Sequence, residues 1–201
     1  MPVTHEAFTS IPGSYDETVR NIRLAVSAGI SITTNAIITR HSYSQIREIY
    51  QLGQELGVQK VSFGRYIGLL KDDCMPTVEQ FGQALNEIEA LRVSGASVRL
   101  SVATPQCFQA SSALGCGAGK SFITVDPWGN VRPCVRSPLI LGDLRSQSLE
   151  AIMSSEKLHY WQSLIPPSCK DCSEFSLCGG GCKAEAMLNH QSCDSLIRLP
   201  N

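Results

Sequence analysis

Residues 169–193 read CKDCSEFSLCGGGCKAEAMLNHQSC, and this stretch decides how the rest of the chain is read. Cys169, Cys172, Cys178 and Cys182 follow a C-x2-C-x5-C-x3-C pattern, and Cys193 stands alone after a ten-residue gap. Thiolates two or three residues apart converge on one metal centre, because a tight turn brings their sulfurs together. The run Gly179-Gly180-Gly181 lets the backbone pass close to such a centre and offers its N–H groups to anionic sulfur. From Pro166 to Cys193 nearly everything is cysteine, glycine or polar. A segment so poor in apolar side chains is expected to need a metal to hold its shape.

Working upstream, Cys116 is followed by twelve residues, Gly129, four more residues and Cys134, with Cys107 before them. The chain has nine cysteines, eight of them after Cys74. Met1 to Ser10 lacks a basic start followed by an apolar run, so no secretory signal is visible. In an unsecreted chain, clustering of this kind favours metal over disulfides. Two zinc ions would also use seven or eight cysteines, although the x5 and x3 spacings are asymmetric for zinc ribbons. Cys74 falls outside the pattern and reads as an ordinary thiol. His5, His41, His159 and His190 follow no ligand spacing.

The 201 residues are 43% hydrophobic and 17% charged with a formal net charge of −1, a balance that permits one or two domains with a real core. Basic residues are scattered, so a nucleic-acid partner has no electrostatic support. No apolar run approaches the roughly 20 residues that span a bilayer. A cytoplasmic protein without membrane or nucleic-acid partners is expected.

The first hundred residues alternate helix and strand patterns. Ser14 and Glu17 read as a capping box for a helix with Val19, Ile22 and Val26 on one face, ending at Gly29. A strand over 30–38 follows. Ser42 and Gln45 then introduce a helix with Ile46, Ile49, Tyr50 and Leu56 inward, stopped at Gly57. A strand over 58–63 leads to a third helix, which opens at Thr77 and Gln80, buries Phe81, Leu85, Ile88 and Leu91, and ends near Gly95. The third strand spans 98–102. Three helix–strand units in a row predict a parallel α/β sheet. Three strands cannot close an eight-fold barrel, which takes roughly 250 residues.

After about residue 104 the regular periodicity fades. Phe122 to Val125, the turn Asp126-Pro127-Trp128-Gly129, and Asn130 to Arg132 predict a hairpin. Residues 149–161 read as one short amphipathic helix.

The series Cys116, Gly129, Cys134, Cys169, Cys172, Cys178, Cys182, Cys193 resembles the seven-cysteine signature of SPASM domains, found in radical SAM enzymes that modify peptides and proteins. Upstream, His5-Glu6, Pro12-Gly13-Ser14-Tyr15-Asp16 and the strand after Gly57 resemble later barrel segments of that superfamily. The resemblance implies a division into residues 1–103, the C-terminal part of a radical SAM β/α barrel, and residues 104–201, an irregular SPASM domain with a β-hairpin. It implies two auxiliary 4Fe–4S clusters: a first held by Cys116, Cys134 and Cys182 with Cys107 as the added ligand, and a second held by Cys169, Cys172, Cys178 and Cys193. Asn35, Thr39, Arg40, Gly64 and Arg65 fall at strand ends, and the resemblance puts Asn35 and Arg65 on the S-adenosylmethionine side. The implied partner is a peptide or protein substrate, with or without a leader sequence, or a cofactor precursor. Sulfatase-maturating members carry an acidic residue directly after the cysteine equivalent to Cys134. Val135 stands there, which argues against that activity.

Radical SAM chemistry uses a further 4Fe–4S cluster on a C-x3-C-x2-C triad, and this sequence has no such triad. The expectation is therefore a C-terminal portion of an enzyme, with S-adenosylmethionine and the third cluster belonging to the complete protein and no catalysis from this chain alone. The alternatives are a non-catalytic iron–sulfur module for electron transfer or peptide docking, and a zinc-stabilised structural domain.

Overall fold

The longest helix begins where Thr77 and Gln80 predict it. In α4 (Val78–Val93) the Thr77 hydroxyl accepts from the Gln80 N–H at 3.2 Å, and the Gln80 side chain accepts from the Thr77 N–H at 2.9 Å. Phe81, Ala84, Leu85, Ile88 and Leu91, spaced three and four apart, are its buried face. The structure is a computed structural model and describes residues 1–69, 72–109 and 115–197. The chain divides into two compact units, Met1–Val102 and Ala103–Asn201.

The first unit runs α1 (Pro2–Thr9), α2 (Ser14–Ser27), β1 (Thr33–Ile38), α3 (Ile46–Glu55), β2 (Lys60–Arg65), α4 and β3 (Val98–Leu100). Its strands form a parallel sheet in the order β1-β2-β3, with Asn35 opposite Ser62, Ile37 opposite Gly64, and Ser62 opposite Arg99. The α/β reading holds, and the described sheet is open, with β1 and β3 at its edges.

Two expected caps form differently. Gly13, at φ 78°, is the N-cap of α2, and the Ser14 hydroxyl is hydrogen-bonded to that of Thr9 at 2.8 Å. Gln45 caps α3 without a side-chain bond, while the Ser42 hydroxyl accepts from the Thr39 N–H and donates to the Ile37 carbonyl, each at 2.9 Å. In both cases a nearby tertiary partner takes the hydroxyl that the helix end would otherwise use.

Alternation along β2 separates the sheet's faces. Val61 and Phe63 are fully buried on the face that meets the helices, where a Cβ on Gly53 of α3 would stand 2.4 Å from Val61 Cγ2. Arg65 shares that face, its guanidinium 5.8 Å from the Phe81 ring centroid. On the other face, Gly64 leaves a gap over which the Ser101 hydroxyl donates to Asn35 Oδ1 at 2.8 Å. A cavity of about 510 Å3 lies among α1, α2, β1 and α3, lined by Phe8, Tyr15, Val19, Ile22, Asn35 and Ile37 among others.

The second unit opens with an antiparallel sheet of β4 (Thr124–Val125), β5 (Asn130–Arg132) and β6 (Gly142–Asp143), in that order. The hairpin is as expected, and β6 adds a strand too short to show a sequence period. The single helix expected over 149–161 is two, α5 (Leu149–Met153) and α6 (Glu156–Ser163). Ser155 is extended and its hydroxyl accepts from the Leu158 N–H at 3.3 Å, which ends one helix and starts the next. Ile152, Leu158 and Trp161 are buried, as are Val131 and Leu141. Two short helices follow, α7 (Phe175–Cys178) and α8 (Lys183–Leu188).

Candidate metal centre

The hairpin that leads into Cys134 is fixed by Asp126. Its Oδ1 accepts from the N–H groups of Trp128 and Asn130 at 3.0 and 2.9 Å, and its Oδ2 accepts from Asn130 Nδ2 at 2.9 Å. The Asn130 side chain is the main influence holding the Asp126 carboxyl below the usual carboxylate range. Gly129 sits at φ 84°, a left-handed position in the turn that glycine takes without strain. β5 then delivers Cys134. Burial pushes its thiol up, while the backbone N–H groups of Arg136 and Ser137 pull the other way and the charge of Cys116 is felt across the gap. N–H groups aimed at a cysteine sulfur stabilise its thiolate form, the form that binds metal.

Cys116 is held by its neighbours. A Cβ on Gly115 would stand 2.0 Å from the Leu177 carbonyl oxygen, so only a residue without a side chain lets the two strands of loop meet. The carbonyl oxygen of Cys116 lies 4.0 Å from the Cβ position of Gly179. The loop that follows is tied to α6, where the Gln162 side chain donates to the Gly119 carbonyl at 2.9 Å.

Cys169 closes a one-turn 3-10 helix, Pro167–Cys169, and is buried. Burial pushes its thiol up, the Ser168 hydroxyl opposes this, and the charges of Cys178, Cys172 and Cys107 all act on it. Gly179, Gly180 and Gly181 have φ of 70°, 82° and 77°, three left-handed residues in succession that turn the chain from α7 to Cys182. Cys182 is buried at the N-cap of α8. Its N–H donates to Asp194 Oδ2 at 2.7 Å, which brings the residue after Cys193 onto the residue that begins α8. Cys193 itself lines a cavity of about 280 Å3 with Tyr160, Pro166, Lys183 and Met187. Lys183 is half-buried; its ammonium donates to the carbonyls of Trp161 and Gln162 at 2.9 and 3.1 Å, and burial holds its pKa below the ordinary lysine value.

The eight expected ligands thus lie in one unit, with Cys134 in electrostatic reach of Cys116 and Cys169 in reach of Cys172 and Cys178. Cys107 is exposed, and its charge is felt at Cys169. Cys74 lies in the first unit, its thiol pushed up by burial and then by Asp72 and Asp73. Among the described residues, no three or more His, Cys, Asp or Glu side chains are drawn together as a site for a metal ion. The fit to a cluster therefore rests on an all-sulfur donor set, on N–H groups directed at sulfur, and on glycines that let the backbone come close. Trp161, Glu185 and Asp194 are buried residues of this unit that spacing alone did not single out. An acidic residue beside a cysteine is visible in the sequence; its burial is not.

The residues expected on the S-adenosylmethionine side are spread over the first unit's sheet. Asn35 is exposed on the face with Gly64. Arg65 is 3% exposed on the opposite face. Thr39 is buried, and His41 N–H donates to its hydroxyl at 3.2 Å. Arg40 donates to the Met75 carbonyl at 3.1 Å.

Residues 116–173 match the family model of SPASM, an iron–sulfur cluster-binding domain. Over 197 residues the chain is 25% identical to PqqA peptide cyclase of Gluconobacter oxydans, an alignment covering 90% of this chain and 54% of that protein. It is 27% identical over 189 residues to the antilisterial bacteriocin subtilosin biosynthesis protein AlbA of Bacillus subtilis, covering 89% and 41%. The chain spans about half the length of the relatives it matches. Its fold is similar to that of Streptococcus suis SuiB bound to the precursor peptide SuiA, with a TM-score of 0.68 at 16% identity over 90% of this chain and 48% of that one. It is similar also to anSMEcpe with bound AdoMet, with a TM-score of 0.66 at 17% identity over 94% and 56%. No described helix is long and apolar enough to cross a membrane.

Proposed function

We propose, for a chain that carries a SPASM domain, that it is the C-terminal portion of a radical SAM/SPASM enzyme and binds two auxiliary 4Fe–4S clusters. The observation that carries this reading is the eight-cysteine series in the second unit, within which residues 116–173 match an iron–sulfur domain. Cys116, Cys134 and Cys182, with Cys107, are proposed for the first cluster, and Cys169, Cys172, Cys178 and Cys193 for the second. When bound, such clusters supply one-electron transfer at low potential. The chain's own residues direct N–H groups to the Cys134 sulfur and tie Cys182 to the residue that follows Cys193. The exposure of Cys107 favours a second reading for that residue alone, in which the first set has three cysteines and one open position.

Residues 1–103 are proposed as the later part of a β/α barrel and residues 104–201 as the SPASM domain. The parallel order β1-β2-β3 and the open edge of β1 support the first assignment. The matched relatives, among them peptide-modifying proteins by name, support a peptide or protein substrate for the whole enzyme. Asn35 is proposed to face S-adenosylmethionine there, more strongly than Arg65, whose side chain turns to α4.

The test is anaerobic purification and reconstitution, with iron, sulfide and zinc measured alongside the visible spectrum. About eight irons and eight sulfides per chain, with broad brown absorption, are expected. Cys134→Ala and Cys178→Ala should each leave about four irons. Stoichiometric zinc in a colourless protein that takes up no iron would replace this reading with that of a structural metal domain.

A further inference from the structure

Carboxylates are almost never fully buried unless they are paired or hydrogen-bonded. The second unit buries two, Glu185 at 0% and Asp194 at 1% exposure. Both accept from backbone N–H groups of the segment that follows Cys193. Glu185 Oε2 accepts from Ser195 N–H at 3.1 Å, and Asp194 Oδ1 accepts from Leu196 N–H at 2.8 Å. Asp194 differs from Glu185 in its second oxygen, which takes the N–H of Cys182 at 2.7 Å. Room for that carboxylate comes from Gly181, where a Cβ would stand 2.8 Å from the Asp194 Cβ and 2.9 Å from its Oδ2.

We propose that Asp194 is a positioning residue that lowers the reduction potential of the iron–sulfur cluster held through Cys182, apart from that of the cluster held through Cys193. The proposal rests on the two-cluster reading above. Net charge and hydrogen bonds to the sulfurs set the potential of such a centre. An N–H given to a cluster sulfur stabilises the reduced, more negative state. The Cys182 N–H is instead given to a carboxylate at 2.7 Å. The carboxylate also places a negative charge against the backbone of Cys182, in surroundings where water screens little, so adding an electron there is opposed. Although Asp194 follows Cys193 in the chain, its carboxylate contacts the residue assigned to the other cluster. The single side chain thus gives the two centres different electrostatic surroundings.

Asp194→Asn keeps the shape and an acceptor oxygen and removes the charge. Wild-type and variant holoprotein would be titrated with dithionite in the presence of mediators and followed by electron paramagnetic resonance, each couple taking one electron. Wild type is expected to hold about eight irons and show two couples. In Asp194→Asn, still with about eight irons, one couple should shift upward and the other stay in place. Two unmoved couples would overturn the proposal while leaving the cluster reading intact. Wild type without iron would instead remove the reading on which the proposal rests. Should Asp194→Asn lose iron, Asp194→Glu keeps the charge and is expected to restore both the iron count and the wild-type couples. Loss of iron in both variants would assign Asp194 to folding alone and overturn the proposal.

Discussion

The indole N–H of Trp161 donates to the carbonyl oxygen of Ala118 at 3.0 Å, joining α6 to the loop that carries Cys116. Trp161 is 1% exposed, and Gly119, at φ 68°, presses so close that a Cβ there would stand 2.8 Å from its ring. The ring is thus a wall against which the Cys116 loop is moulded. Trp161→Ala is expected to destabilise the second unit by about 3–5 kcal/mol through the cavity it leaves. Trp161→Phe keeps most of the volume and should cost about 1 kcal/mol for the lost hydrogen bond. Denaturant unfolding of the reconstituted protein, followed by its visible absorption, would rank the two; equal midpoints would show that the loop does not depend on this side chain.

Gly53 packs α3 onto β2, and any side chain there meets Val61 at 2.4 Å. Gly53→Ala is expected to destabilise the first unit by about 1–3 kcal/mol, because overpacking at a helix–sheet contact forces the backbone apart. The favourable helix propensity of alanine, about 1 kcal/mol, offsets part of this. Far-ultraviolet circular dichroism during thermal unfolding would show the lowered midpoint, and an unchanged one would mean that α3 shifts freely.

Tyr66 donates its phenol proton to Asp72 Oδ2 at 2.6 Å. That bond, ahead of burial and the charge of Asp72, pushes the Tyr66 pKa up to about 12, and it holds the Asp72 carboxyl below its usual range. A raised phenol pKa gives stability that is complete below about pH 10 and lost as pH rises towards 12. The lowered carboxyl gives stability that is present above about pH 3.9 and lost as pH falls. Ultraviolet titration of phenolate should find Tyr66 ionising late. Asp72→Asn should bring it down towards about 10, and a titration unchanged by that substitution would contradict the assignment.

Asp126 holds the turn before Cys134 by three hydrogen bonds. Asp126→Ala is expected to lower iron retention at the site of Cys134 while sparing that of Cys178, as read by comparing iron content with the Cys134→Ala and Cys178→Ala proteins. Because its folded pKa is lowered, the advantage of wild type over Asp126→Asn should be full above about pH 3.9 and shrink as pH falls. Iron loss at both sites, or at neither, would show that the turn does not act through Cys134.

Local signals read well where a residue's partner lay within a few positions. The Thr77–Gln80 box, the Asp126–Gly129 turn and the C-x2-C-x5-C-x3-C run are such cases, since their chemistry is complete within one short segment. Ser14 and Ser42 misled because Thr9 and Ile37 compete for their hydroxyls, and nothing within the helix pattern announces that competition. The break at Ser155 splits a continuous apolar pattern, as the same residues bury whether the helix runs on or restarts. The carboxylate of Asp194 could not be matched to Cys182 from spacing, because twelve residues and a reversal of the chain separate them.

The contact between Gly181 and Asp194 bears on how such a chain can vary. Position 181 is closed to other residues twice over, by a φ of 77° and by the 2.8 Å approach of the Asp194 side chain. Shrinking residue 194 would relieve the crowding and leave the backbone constraint untouched, so neither change alone opens a route to the other. Drift along this sequence would therefore find Gly181 fixed whatever stands at 194, while a lineage that keeps the Asp194 bond to Cys182 needs Gly181 as well.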